Sequence, residues 1–253
     1  MITKIPSGKK IYFLSDFHLG APNYAASLER EKKIIRFLHE IEPTAAAIFI
    51  VGDIFDFWFE YKKAVPKYYT RLLGTLASLT DYNIPVYVFS GNHDMWMSGY
   101  FEEELNIPVF HDPKEFVWNE KRFLIGHGDG LGPDDHGYKF LKKIFRNPIC
   151  QWLFGILHPN WGIGIANYFS KKSREKTGTA DEAFLGEDKE WLILYCKEIL
   201  TQKAVDYFIF GHMHYPIDFA LNNNSRYINV GDWIRNFTYA SFDGSVVELK
   251  KYE

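Results

Sequence analysis

The sequence predicts an α/β fold in which several strands run directly into polar loops. Short apolar runs recur at "KIYFLS" (10–15), "AAAIFIVG" (45–52), "VYVFSG" (86–91), "RFLIGHG" (122–128) and "YFIFGH" (207–212). Stretches with helical spacing lie between them, and this alternation points to strand–helix units. The 253 residues suffice for one large domain with a full core.

Each element has a local reason. The apolar runs are short and end in Gly, Asn, Asp or His, as buried strands do. Ser27 is a candidate cap for a first helix, whose residues Ile34, Leu38 and Ile41 follow helical spacing. Glu29 and Glu31 would then sit in its first turn, where negative charge meets the helix dipole. A second helix is predicted over "KYYTRLLGTLASLTD" (67–81). The C-terminal stretch differs, because its short β runs flank Asp243-Gly244, a hairpin signal. No repeat or low-complexity linker divides the chain. One domain over residues 1–253 is expected, with an insertion at about 131–200 between two strands.

Composition narrows the function. A net charge of −3 argues against a general nucleic-acid binder, so no nucleic-acid partner is expected. Cys150 and Cys196 stand in apolar surroundings without metal spacing and read as buried thiols of a reducing compartment. The opening "MITKIPSGKK" lacks the apolar segment of a signal peptide, and no apolar run reaches the length of a membrane span. A cytoplasmic chain is therefore expected.

The insertion is unusual. Residues 138–176 hold eight Lys or Arg against one acid, interleaved with aromatics. Core helices with solvated lysines would explain this. So would a basic, apolar cap that meets an anionic lipid or the inner face of a membrane.

Polar groups cluster at the strand ends. Asp16 and His18 follow the first strand, Asp53 the second, and Asn92, His93 and Asp94 the third; His127 follows a fourth, and His212 and His214 a fifth. In α/β sheets, ligands gather outside the carboxyl ends of strands. Seven side chains able to ligate a metal would converge there: Asp16, His18, Asp53, Asn92, His127, His212 and His214. Imidazole, carboxylate and amide oxygen together suit manganese, iron or zinc. A carboxylate such as Asp53 can bridge two cations. Glycines before Asp53, Asn92, His127 and His212 would permit sharp turns.

The ordered set D-x-H, GD, GNHD, GH and GHxH resembles the calcineurin-like metallophosphoesterase superfamily. That resemblance implies a two-sheet αββα sandwich with a helical cap insertion and two divalent metal ions. Asp16, His18, Asp53 and His214 would hold one ion, and Asp53, Asn92, His127 and His212 the other. The implied chemistry is in-line attack on phosphorus by a metal-activated water.

A narrower likeness concerns "HGDGLGPDDHGYKFLKKIFRNP", "SREK" and "GHMHYP", which resemble the UDP-2,3-diacylglucosamine pyrophosphatases of lipid A synthesis. Their acidic pair and tyrosine match Asp134, Asp135 and Tyr138, and a similar cap segment matches Asn147, Pro148, Trp152 and Leu153. The resemblance implies release of UMP from a UDP-linked diacylated sugar, with manganese as the metal. Asp135 and Ser173 would line the substrate groove with Asn92, His93 and His212. His93 stands where that family carries arginine, and Thr177 and Ala180 replace polar or basic residues. A histidine paired with Asp94 could act as general acid toward an alkoxide, whereas a fixed positive charge suffices for a leaving phosphate. A metallophosphoesterase of nucleotides, nucleic acid or phosphoprotein is the alternative enzyme, and a non-catalytic scaffold on the same fold is the third reading.

Overall fold

The structure is a computed structural model that describes residues 3–132, 136–177, 184 and 186–253; of residues 136, 137, 171 and 173–177 it describes the backbone alone. Eleven strands and seven α-helices occur among the described residues. The first sheet has the order β11-β10-β1-β2-β3-β4 and the second β5-β6-β7-β9-β8. Strands β1 (Lys10–Leu14), β2 (Ala45–Val51), β3 (Val86–Phe89) and β4 (Val109–Phe110) run parallel. So do β6 (Lys121–Ile125), β7 (Tyr207–Phe210) and β9 (Arg226–Asn229). Strands β5 (Lys114–Trp118) and β8 (Ile217–Ala220) are antiparallel edges of the second sheet. The hairpin of β10 (Thr238–Phe242) and β11 (Val247–Lys251) extends the first sheet antiparallel to β1, with its turn at Asp243-Gly244 as the sequence suggests.

Strand periodicity explains the layers. In β1, Ile11 and Phe13 enter the core between the sheets, while Tyr12 and Leu14 face the helices. In β7, Tyr207 and Ile209 face inward and Phe208 and Phe210 outward. Both faces are apolar because both are covered, so these strands read as continuous hydrophobic runs. Helices α1 (Tyr24–Ile41), α2 (Thr70–Asp81) and α3 (Tyr100–Leu105) cover the first sheet, and α7 (Trp191–Leu200) covers the second. The architecture is αββα.

Two helix starts differ from the sequence reading. Helix α1 begins at Tyr24, capped by Asn23, whose side chain accepts from the Ala26 N–H at 3.0 Å. Ser27 is instead buried one turn in and accepts from the Gly20 N–H at 2.7 Å. Helix α2 begins at Thr70, after Tyr68 with φ of 88° breaks the helical backbone. Its N-terminus has no cap from Tyr69, and the buried Glu31 of α1 accepts the Leu72 N–H at 3.0 Å. A carboxylate placed there also meets the positive end of the helix dipole.

The insertion contains helices α4 (His136–Phe145), α5 (Pro148–Ile156) and α6 (Pro159–Thr177), followed by α7. Asn147 caps α5 with Pro148 in its first turn. Helix α7 belongs to the core, so the segment that stands away from it is α4–α6. Its anchor is aromatic: Phe154 packs against Phe57, Phe59 and Trp96 at ring separations of 6.0, 4.8 and 4.8 Å. The Trp96 indole N–H donates to the Phe145 carbonyl at 2.6 Å. Cys196 is buried, while Cys150 on α5 is partly exposed, because α5 contributes nothing to the core.

Arg30 holds the loop between β1 and α1. Its buried guanidinium donates to the carbonyls of Phe17, His18 and Ala21 at 2.8–2.9 Å. Replacing it with methionine leaves three buried carbonyls without these donors. Arg30→Met should destabilise the protein by about 2–4 kcal/mol, read from urea unfolding.

Candidate metal centre

The carboxyl ends of β1, β2, β3, β6 and β7 meet at one edge of the two sheets. Backbone hydrogen bonds lock the loops together: the Asp16 and His18 N–H groups donate to the carbonyls of Gly52 and Asp53 at 3.1 and 2.9 Å. The Gly211 N–H donates to the His127 carbonyl at 2.9 Å. Asp16, His18, Asp53, His212 and His214 all have φ between 44° and 72°. Left-handed backbone at non-glycine residues costs on the order of 1–3 kcal/mol each and clusters at functional sites.

The glycines serve mainly to make room. Of the four that precede Asp53, Asn92, His127 and His212, only Gly52 has a positive φ. A Cβ on Gly52 would overlap the His127 imidazole, and one on Gly91 would overlap the Asp53 carboxylate. The turns themselves are made by the functional residues.

Two donor sets result. In the first, His18 Nε2 lies 3.1 Å from His214 Nε2 and 3.6 Å from Asp16 Oδ1, and His214 Nε2 lies 3.4 Å from that oxygen. In the second, His127 Nε2 lies 3.2 Å from Asn92 Oδ1, which lies 2.9 Å from His212 Nδ1. Asp53 joins them through a single oxygen: Oδ2 is 3.5 Å from His18 Nε2 and 3.3 Å from His127 Nε2. The other oxygens are occupied. Asp53 Oδ1 accepts the His93 N–H at 2.9 Å. Asp16 Oδ2 accepts from the Ser15 hydroxyl at 2.5 Å and the His212 N–H at 3.0 Å, leaving Oδ1 buried without a hydrogen bond among the described residues.

These sets fit cations. A first-row divalent ion about 2.0–2.2 Å from each donor holds neighbouring donors roughly 3.0–3.5 Å apart, which is the spacing here. His127 makes the case sharpest. Its Nδ1 lies 2.8 Å from the Val51 carbonyl, an acceptor, so Nδ1 carries the proton. In the neutral ring Nε2 is then a bare lone pair facing two oxygens that also lack protons. Lone pairs converging in a buried space require a positive charge between them.

The electrostatics agree. Burial opposes ionisation of Asp16, yet the close approach of His18 and the charges of His214 and His127 bring it down to about 2. Burial opposes protonation of His127 too, but Asp53, Asp16 and Asp129 raise it to about 10. His212 is lowered to about 4 by burial and by His127, which keeps its imidazole free to ligate. Burial likewise lowers His214.

His93 and Asp94 do not form the expected pair. Asp94 Oδ1 accepts the Gly91 N–H at 2.7 Å, and Oδ2 accepts the Ile54 and Phe55 N–H groups at 2.7 and 3.3 Å. Asp94 therefore braces two strand-end loops, and no hydrogen bond joins it to the His93 ring among the described residues. The His93 ring lies edge-on to His18, with centroids 4.8 Å apart, and its Nδ1 is 3.0 Å from the Asp56 carbonyl and 3.1 Å from Ser170 Oγ. The Asp56 carboxylate lies 3.8 Å from His93 Nδ1 and 3.7 Å from His18 Nδ1. Burial lowers the pKa of His93 to about 4.

Sequence reasoning also passed over Asp129. It is buried beside His127, and its Oδ2 accepts from the Tyr138 hydroxyl at 2.8 Å and from Lys142 at 2.5 Å. Both partners belong to α4, so this carboxylate ties the cap to the centre. The signal was present, since Asp56 lies in "GDIFDFW" and Asp129 in "GHGDG". Asp134, Asp135 and Ala180 lie outside the described residues, as do the side chains of Ser173 and Thr177. His39 and His158 are bound locally to Glu42 and the Asn160 N–H, whereas His111 bonds Ser90 and lines a small cavity with His127 and Asp129.

A two-sheet α/β sandwich with carboxylate, imidazole and amide donors at its strand ends defines a metal-dependent hydrolase. The chain belongs to the calcineurin-like phosphoesterases, and that family's pattern matches residues 9–216. It is 37% identical to the UDP-2,3-diacylglucosamine hydrolase of Porphyromonas gingivalis over 96% of this chain and 98% of that protein. It is similar to proteins of the same name from Proteus mirabilis, at 29% identity over 81% of each chain, and from Yersinia enterocolitica, at 26% over 95% and 98%.

The close approach at Gly91 gives a direct test of the geometry. Gly91→Ala should push the Asp53 carboxylate aside and weaken manganese binding at least tenfold in equilibrium dialysis. Gly164→Ala, in a helix with open space around the new methyl group, should leave binding unchanged.

Proposed function

We propose that the protein hydrolyses the diphosphate of UDP-2,3-diacylglucosamine, releasing UMP and 2,3-diacylglucosamine 1-phosphate. The observation that carries this reading is the joining of an apolar, basic cap to a hydrolytic centre. Helices α4–α6 expose Phe140, Ile149, Trp152, Trp161, Tyr168 and Phe169, with Trp152 66% and Trp161 71% accessible. Exposed apolar surface of this extent marks a binding face. The same segment reaches the centre through Tyr138, Lys142 and Ser170. The names of the relatives supply the same substrate.

In this reading the chain is one domain with α4–α6 as its cap. Asp16, His18, Asp53 and His214 hold one divalent cation, and Asp53, Asn92, His127 and His212 the second, with manganese the metal and iron or zinc able to substitute. Bound there, the cations neutralise charge at the phosphoryl group and activate the attacking water. His93 supports the leaving phosphate. Its Nδ1 proton is committed to the Asp56 carbonyl, so in the neutral ring Nε2 is a lone pair left to accept a proton. Asn92, His93 and His212 flank the reacting diphosphate, and the family resemblance assigns Asp135 and Ser173 to the substrate groove. The cap's aromatic side chains receive the acyl chains. Lys139, Lys143 and Arg146 add positive charge that draws the cap to the anionic inner surface of a membrane. Among the described residues no helix is long and apolar enough to cross one.

Release of UMP from UDP-2,3-diacylglucosamine in manganese buffer is the experiment that tests this function. Asp53→Asn should lower kcat by at least about 10³-fold, since it weakens both donor sets at once. No UMP release by the unaltered protein would refute the substrate.

Metal loading should also depend on pH. His127 in the metal-free protein is raised to about 10, so between pH 6 and 9 the metal must displace its proton. Apparent manganese affinity should rise with pH, approaching about tenfold per unit, in calorimetric titrations. The metal-free fold responds oppositely: the His127 contribution is complete below an unfolded-state pKa of roughly 6.5 and is lost as pH rises toward 10.

The exposed cap residues should affect only lipid recognition. Trp152→Ser should raise KM for the diacylated substrate several-fold and leave hydrolysis of bis(4-nitrophenyl) phosphate unchanged, because the small ester receives no binding energy from the cap. Equal loss on both substrates at unchanged stability would contradict the acyl-groove assignment.

A further inference from the structure

The cap does more than border the groove, because one of its side chains reaches the residues beside the metal centre. Helix α6 carries Tyr168 and Phe169, both 62% exposed, and the next residue, Ser170, turns the other way. Ser170 Oγ lies 3.1 Å from Asp56 Oδ2, 3.3 Å from the Asp56 carbonyl and 3.1 Å from His93 Nδ1. The same helix is seated through Gly162, where a Cβ would collide with the Tyr61 hydroxyl and crowd the Phe154 ring. A lipid-facing pair of rings and a centre-facing hydroxyl thus occupy adjacent positions of one helix.

We infer that Ser170 is a positioning residue, which fixes Asp56 and His93 only while the cap is seated. A carbonyl oxygen can only accept, so His93 Nδ1 donates to Asp56 O, while the Ser170 hydroxyl donates to Asp56 Oδ2 and its oxygen accepts a share of the same His93 N–H. The hydroxyl then bridges ring and carboxylate and limits rotation of both. Asp56 also lies 3.7 Å from His18 Nδ1, beyond hydrogen-bond distance but within reach of its charge. Movement of α6 would therefore loosen His93 and Asp56 together. Occupancy of the cap by acyl chains, which draws on Tyr168 and Phe169, is coupled through Ser170 to the geometry of the centre. The coupling to lipid rests on the substrate proposed above, whereas the positioning role does not.

The test uses the full-length, manganese-loaded protein and its Ser170→Ala and Ser170→Thr variants. Initial rates are measured on UDP-2,3-diacylglucosamine and on bis(4-nitrophenyl) phosphate, with melting temperature and bound manganese recorded for each variant. Ser170→Ala should lower kcat on the order of tenfold on both substrates with KM within about twofold, and Ser170→Thr, which keeps the hydroxyl, should recover most of the rate. An unchanged kcat in Ser170→Ala would overturn the inference. A rise in KM for the lipid substrate alone would overturn it too, because that marks a substrate contact. So would a rate loss that tracks lost manganese or that threonine fails to repair. If the unaltered protein cleaves the small diester but releases no UMP, the substrate reading fails, and the small-diester rates still decide the role of Ser170.

Discussion

One oxygen atom, Asp53 Oδ2, organises the site. It faces both donor sets, while Oδ1 is held by the His93 N–H. Around it lie Asn92 Oδ1, Asp16 Oδ1 and His127 Nε2, all acceptors unless the His127 ring takes up a second proton. A buried arrangement of this kind is unfavourable unless positive charge enters it. A proton on His127, whose pKa the surrounding carboxylates raise to about 10, supplies part of that charge, and divalent cations held by these donors would supply it in the proton's place.

The rest of the fold serves that arrangement. Parallel strands in both sheets deliver their carboxyl ends to one edge, and left-handed turns at five of the functional residues aim their side chains inward. Asp94 spends both oxygens on loop N–H groups, and Arg30 spends its guanidinium on loop carbonyls. These contacts hold strained backbone in place, which a site of converging lone pairs would otherwise push apart. Asp129 and Asp56 then extend the same electrostatic network outward to α4 and α6, so the cap and the centre form one connected structure.

Much of this was legible in the sequence, for identifiable reasons. Strands such as β2 are buried on both faces, so they appear as unbroken apolar runs, and each residue set aimed at the centre follows such a run directly. The hairpin at Asp243-Gly244 was legible because its turn chemistry is local. What escaped depends on the third dimension. Glu31 caps a helix other than its own, and Asn23 displaced Ser27 as a cap because its extended backbone starts α1 a turn earlier. Adjacency in the chain suggested Asp94 as the partner of His93, yet the loop geometry gives that place to Asp56, 37 residues away. Ser170 sits in an amphipathic helix with nothing in its neighbourhood to distinguish it from a solvated serine.

Two divalent cations held by these donor sets would both meet one carboxylate oxygen, Asp53 Oδ2. The most direct measurement is the manganese content of the protein together with its electron paramagnetic resonance spectrum. Two ions per chain, with a spectrum showing magnetic exchange between them, is the expected result. A single magnetically isolated manganese per fully loaded chain would contradict it.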